Sequence, residues 1–210
     1  MSSPRPAPDR ENGERYELAE SIRRLIVATT TGGASGDDLA AAYDLVEAAA
    51  AMLGPLPSAM AHRSTTEQGH RPTLDPFGSA DNPLAPPLWE RPSAAGEYIA
   101  EFVLSPAYEG PPGRVHGGVV TGILDHACGF APRSLGIVAV SVSLAIDLHR
   151  ATPYAEPLTV AARVDERDGR KIWVDAQIST AAGEVTASCR TLMLELRETP
   201  AWAQAVHRDP

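Results

Sequence analysis

Several residue types are scarce in this 210-residue chain, and each scarcity excludes something. Two cysteines, Cys128 and Cys189, are too few for a disulfide framework, so reduced thiols in a cytoplasmic protein are expected. Lys171 is the single lysine among 18 basic residues, and 27 acids bring the net charge to −9. The arginines form no long run, so the concentrated basic face of a nucleic-acid binder is missing. Apolar runs are too short to span a bilayer, and "MSSPRPAPDR" lacks the apolar core of a secretory signal. Neither a nucleic-acid nor a membrane partner is expected. "GGASGDD" lacks the Gly-Lys-Ser/Thr ending of a phosphate-binding loop, and no Gly-x-Ser-x-Gly elbow occurs. His62, His70, His126, His149 and His207 show no metal-ligand spacing, so no metal is expected.

What is present is enough apolar residue, 43%, to build one good-sized domain with an appendage. Residues 1–12 read as a disordered, Pro-rich tail. Residues 13–55 read as a helical hairpin, with Tyr16, Ala19, Ile22 and Ile26 on one stripe and Leu39, Tyr43, Val46 and Leu53 on the next. Ser35 with Asp38 fits a capping box at the start of the second helix. Residues 56–95 are crowded with proline and turn formers and read as an irregular crossing segment.

From residue 96 the period changes to two. "EYIAEFVL" alternates Tyr98, Ala100, Phe102 and Leu104 against Glu97, Ile99, Glu101 and Val103. "VAVSVSLAIDLH" places Val138, Val140, Val142, Leu144, Ile146 and Leu148 on one face, with Ser141 and Ser143 together on the other. Three further strands, "LTVAARVDE", "KIWVDAQIST" and "EVTASCRTLMLEL", are joined by the short turns "RDG" and "AAG" as an antiparallel meander. The expectation is an α+β domain over 96–197 in which an antiparallel sheet wraps one central helix, followed by a tail over 198–210.

That helix lies in "GRVHGGVVTGILDHACG". Val119, Val120, Ile123, Leu124 and Ala127 form its apolar stripe, with Cys128 at the margin as a small core residue. Gly118, Thr121, Gly122, Asp125 and Gly129 gather on the other side, a face almost without bulk that carries the helix's only acid. Glycine in a helix costs about 1 kcal/mol relative to alanine, so repeating it on one face implies a close approach by a substrate chain or another backbone. The first N–H groups of a helix lack internal partners and carry partial positive charge, and glycines at 117 and 118 let a ligand atom reach them. Such a donor polarises a carbonyl and is worth about 3 to 4 kcal/mol of barrier. Asp125 lies about 12 Å along the axis from Gly117, too far to meet the same carbonyl carbon, so one site made from both ends requires a second subunit. On spacing alone, Asp125 also fits a solvated residue and His116 a helix cap.

"GRVHGGVVTGILDHACG" followed by "VAVSVSLAIDLHRATP" resembles the hotdog-fold acyl-CoA thioesterases of the phenylacetate-pathway, PaaI-like type, over residues 80–197, with "NPLAPPL" and "AYEGPPG" similar to a subgroup with an N-terminal helical extension. The resemblance implies roles by position. Gly117 would present its N–H to the thioester carbonyl, Asp125 of the partner subunit would act as general base or nucleophile, and His116 would shape the loop. Gly118 and Gly122 would lie along the substrate, Ser141 or Ser143 would assist the aspartate, and Arg150 or Arg114 would meet the CoA phosphates. Acyl-CoA is then the substrate, no cofactor is needed, and a homodimer or dimer of dimers is the expected assembly. Many relatives carry an asparagine about six residues before the histidine, where this chain has Gly110. A non-catalytic acyl-CoA-binding or sensing module on the same fold is the second reading, which the missing asparagine favours and Asp125 opposes. A hotdog dehydratase would want a His and acid pair in a different motif.

Overall fold

The computed structural model describes residues 10–54 and 76–198, with side chains from residue 13 onward. The expected tails and the first part of the crossing segment lie outside the described residues, except that residues 10–12 already belong to the first helix and residue 198 is described.

Helices α1 (Arg10–Thr31) and α2 (Gly36–Met52) open the chain. At the start of α2 the Ser35 Oγ accepts from the Asp38 N–H at 3.4 Å and donates to the Asp38 carboxylate at 2.7 Å. Asp37 and Asp38 thus sit at the positive end of the helix dipole. The short strand β1 (Trp89–Arg91) departs from the irregular reading of this region, because it pairs antiparallel with β2 (Glu97–Val103), Glu90 opposite Ala100. The central helix α3 (Gly117–Phe130) is followed by a 3-10 turn, Ala131–Leu135, and then by β3 (Ala139–Leu148), β4 (Pro157–Asp168), β5 (Lys171–Thr180) and β6 (Val185–Glu195). The six strands form one antiparallel sheet in the order β1-β2-β4-β5-β6-β3, which leaves β3 at an edge. Gly169 and Gly183 take positive φ in the β4–β5 and β5–β6 turns, which is what lets those connections be so short.

α3 crosses one face of the sheet and touches β2 through β6. Val120, Ile123, Leu124, Ala127 and Cys128 are buried against Phe102, Leu158, Val160, Ile172, Val174, Ile178 and Met193. Each fully buried leucine or isoleucine there contributes about 1.5 to 3 kcal/mol. The other sheet face carries ion pairs centred on Arg190, at 2.8 Å from Asp175 and 3.0 Å from Asp165.

The edge strand corrects the sequence reading. Val142 is bulged out, with Ser141 opposite Met193 and Ser143 opposite Leu192 on β6. A bulge inserts one residue and reverses which side chains face inward. Ser141 therefore points toward α3, Ser143 to the outer face, and Leu144 and Ile146 pack inward beyond the bulge. Val140 and Val142, expected on the buried face, are 40% and 54% exposed.

The N-terminal helices dock unequally. Ala19 of α1 is buried, and the Tyr16 ring meets Trp89 edge-on at 6.1 Å. Arg23 reaches into residues 79–85, donating to the carbonyls of Ala85 at 3.0 Å, Ala80 and Asn82 at 2.7 Å, and Ser79 at 3.3 Å, while pairing with Glu20 at 2.7 Å. α2 buries no residue among those described. Among the described residues, no helix is long and apolar enough to cross a membrane, and no three His, Cys, Asp or Glu side chains are placed to hold a metal ion.

Candidate active site

The site begins at the N-terminus of α3. His116 is the N-cap, in extended conformation, and its Nδ1 accepts from the Gly118 N–H at 3.0 Å. That bond requires an unprotonated Nδ1 and fixes the ring against the first turn. The N–H groups of Val119 and Val120 bond the His116 carbonyl at 2.9 and 3.3 Å. Of the first-turn donors, the Gly117 N–H alone has no acceptor among the described residues. A Cβ at Gly117 would stand 3.2 Å from the Leu148 Cδ1, so the helix start is crowded from the end of β3.

The preceding loop is tied to this helix start. The His116 N–H bonds the Tyr108 carbonyl at 2.9 Å and the Gly110 N–H bonds the Arg114 carbonyl at 3.0 Å. Glu109 accepts from the Gly113 N–H at 2.7 Å and from the Tyr154 hydroxyl at 3.2 Å. The neighbouring carboxylate holds the Tyr154 phenol above its usual pKa. A Cβ at Gly110 would stand 2.7 Å from the His116 Cα. No side chain fits there without displacing His116, which is a physical reason for glycine at this position.

Two turns along α3, half-buried Asp125 accepts a 2.7 Å hydrogen bond from the Ser141 hydroxyl. The bulge at Val142 makes this possible, because it turns Ser141 inward and Ser143 outward. The two serines, placed on one face by the sequence reading, are thus separated, and only Ser141 meets the acid. Arg150 lies at the same corner as the α3 N-terminus, since the Thr152 carbonyl accepts from the Val115 N–H at 2.9 Å. Its guanidinium is exposed and paired with Glu184 at 2.6 Å. Arg114 is exposed on the loop.

Gly118 is exposed beside His116, while Gly122 is covered by the ring of Phe77, a contact that no periodicity in the sequence signals. Cys128 and Cys189 meet in the core with their sulfurs 3.6 Å apart, and the Thr191 hydroxyl lies 3.3 Å from Cys128. The adjoining Cys189 thiol and burial push the Cys128 thiol well above its usual pKa, so it stays protonated and is no nucleophile. A depression of about 510 Å³ on the outer sheet face, lined by Ile99, Asp147, Arg163, Asp175, Gln177 and Arg190, lies across the sheet from Asp125.

Comparison with known proteins bears on the family and fold. Residues 112–187 match the family model described as Thioesterase superfamily. A crystallised thioesterase superfamily protein is 27% identical with a TM-score of 0.75, over 92% of this chain and 94% of its own, so the likeness reaches beyond the sheet domain. The PaaI protein of the E. coli phenylacetic acid degradation operon is 20% identical with a TM-score of 0.50, over 52% of this chain and 79% of its own. A hypothetical thioesterase of Streptococcus pneumoniae, crystallised with coenzyme A, is 18% identical with a TM-score of 0.50, over 51% of this chain and 87% of its own. The last two share the fold over about half of this chain.

Proposed function

We propose that the protein is a hotdog-fold thioesterase of the PaaI-like type that hydrolyses an acyl-CoA thioester to a carboxylic acid and free CoA, a reading supported by the family match and the solved thioesterase structures. The observation that carries this is the Asp125 carboxylate held by Ser141 at 2.7 Å on a helix whose first N–H has no acceptor among the described residues. Ser141 occupies Oδ1 and fixes the plane of the carboxylate, which leaves Oδ2 for a water or for the acyl carbon itself. As general base, Asp125 takes a proton from water as it attacks the carbonyl; as nucleophile, it forms an anhydride that water then opens. In either route the Gly117 N–H stabilises the oxyanion, and the thiolate of CoA leaves. His116 positions the first turn by capping Gly118. Arg150, at the same corner, meets the CoA phosphates on exchanging its exposed pairing with Glu184 for them, and Arg114 is a second candidate on the loop.

Gly117 and Asp125 lie eight residues apart, about 12 Å along the axis, so each completes a site with the other end of a second copy's α3. The open edge of β3 and its exposed Val140, Val142 and Leu148 support a homodimer joined there. A dimer of dimers would extend this without altering the site.

Thiol release from short, long and aryl acyl-CoAs tests the reading. Wild type should turn over at least one class, and Asp125→Asn should lose about 10²- to 10⁴-fold in kcat. Tight binding of all of them with no turnover would favour the acyl-CoA-binding module instead. Gly117→Pro removes the N–H at a position where proline suits a helix start. Mixing equal amounts of Asp125→Asn and Gly117→Pro protomers should restore about a quarter of wild-type activity, because random pairing makes half of the dimers mixed and one of the two sites in each then draws both intact groups from different chains. Two inactive homodimers that give an inactive mixture would refute the shared site.

A further inference from the structure

The small-residue face of α3 is occupied by the chain itself beside Asp125. A Cβ at Gly122 would stand 2.2 Å from the Phe77 Cζ and 2.3 Å from its Cε1, so the tip of the ring rests on the helix backbone. One residue on, Gly78 has φ +121°, and a Cβ there would stand 2.5 Å from the His126 Nε2. Residues 77 and 78 therefore cross α3 at Gly122 and His126, one turn apart. Asp125 lies on the same side, about 60° around the axis from Gly122 at 100° per residue.

The crossing is held firmly. Gly78 bridges to Pro87, Ala85 is buried, and the Tyr108 hydroxyl donates to the Leu84 carbonyl at 3.1 Å. Arg23 gathers four carbonyls of residues 79–85 onto one guanidinium. Phe77 is thus presented to the helix by a strap with fixed geometry. Its ring stays half-buried, packed on the core without belonging to its fully buried set.

We propose that Phe77 is a specificity-determining residue: its ring forms the wall that limits the length of the acyl group held at Asp125. This rests on the thioester reading of that site. An acyl chain leaving a carbonyl at Asp125 along α3 meets the one surface of the helix that its own side chains leave uncovered, at Gly118 and Gly122. Phe77 closes that surface at Gly122, so the site as built favours short acyl groups. Removing the ring exposes helix backbone to the chain, and each methylene then accommodated is worth about fourfold in affinity.

The experiment compares wild type, Phe77→Ala and Phe77→Leu on saturated acyl-CoAs from acetyl to dodecanoyl. It reads kcat/KM, and Kd for the matching non-hydrolysable acyl-CoA thioethers. Phe77→Ala should raise the long-to-short ratio by at least about tenfold, with Phe77→Leu between it and wild type. A uniform fall across all lengths, as a structural role alone would give, or an unchanged ratio would overturn the proposal. If wild type hydrolyses neither this series nor aryl acyl-CoAs, the enzymatic reading fails while the thioether affinities still decide the role of Phe77. Should Phe77→Ala lose cooperative unfolding, the ratio in Phe77→Leu decides by the same criterion.

Discussion

α2 and α3 are helices of similar length, 17 and 14 residues, with capped N-termini and apolar residues at helical spacing, yet their fates differ. α3 buries Val120, Ile123, Leu124, Ala127 and Cys128 against five strands. α2 buries nothing among the described residues, and Tyr43 and Leu45 stand 63% and 73% exposed. Helical periodicity and a cap specify that a segment will be a helix; they do not specify what its apolar stripe meets. That depends on a partner surface, which the sheet provides for α3 and none of the described residues provides for α2.

The largest expected contrast is in stability. Leu124→Ala leaves a cavity at a fully buried position and should cost about 2 to 5 kcal/mol. Leu45→Ala, at an exposed position, should stay within about 0.5 kcal/mol. Urea midpoints of the two variants measure both. A cost above 1 kcal/mol for Leu45→Ala would mean that α2 is covered in solution.

Arg23→Met sharpens the comparison from the side of α1, the helix of the pair that does dock. It removes the donors for the Ala80, Asn82, Ser79 and Ala85 carbonyls and should cost about 2 kcal/mol, within the range for hydrogen bonds to a charged group. Arg190→Met, at an exposed and solvent-screened ion-pair cluster, should shift the midpoint less than Arg23→Met. Equal midpoint shifts in the two variants would show that the strap does not depend on Arg23.

Within the site, Ser141→Ala removes the hydrogen bond that orients Asp125 and should lower kcat about tenfold, a loss of about 1.4 kcal/mol. Ser143→Ala should leave kcat unchanged, because the bulge turns residue 143 to the outer face. Steady-state rates decide, and equal losses would place both serines at the acid.

Much of the fold was legible because its signals are local. Alternation along 97–104, the apolar stripe of α3 and the turn chemistry at Gly169 and Gly183 each follow from a few neighbouring residues. The glycine cluster and the lone acid of α3 likewise pointed to the candidate site. What stayed hidden is non-local. The bulge at Val142 breaks a clean alternation without any glycine or proline to announce it, and so the serine that meets Asp125 was open between two. Phe77 reaches Gly122 across 45 positions of sequence, and Arg23 binds backbone carbonyls, which have no residue type to recognise.

The smallest expected effect tests the two helix starts directly. Ser35→Ala removes the acceptor for the Asp38 N–H, and His116→Ala removes the acceptor for the Gly118 N–H. Each loss is worth about 1 kcal/mol. In α3 the cost falls on the core, since the helix cannot fray without uncovering the sheet, and the urea midpoint of the whole domain should drop accordingly. In α2 the cost falls on the helix alone. Its amides should exchange about fivefold faster while the domain's midpoint stays where it was, because 1 kcal/mol of local opening is not shared with the core. If Ser35→Ala instead moves the global midpoint as far as His116→Ala, α2 is packed in solution against a surface that the described residues do not supply, and the contrast between the two helices would not hold for the protein in solution.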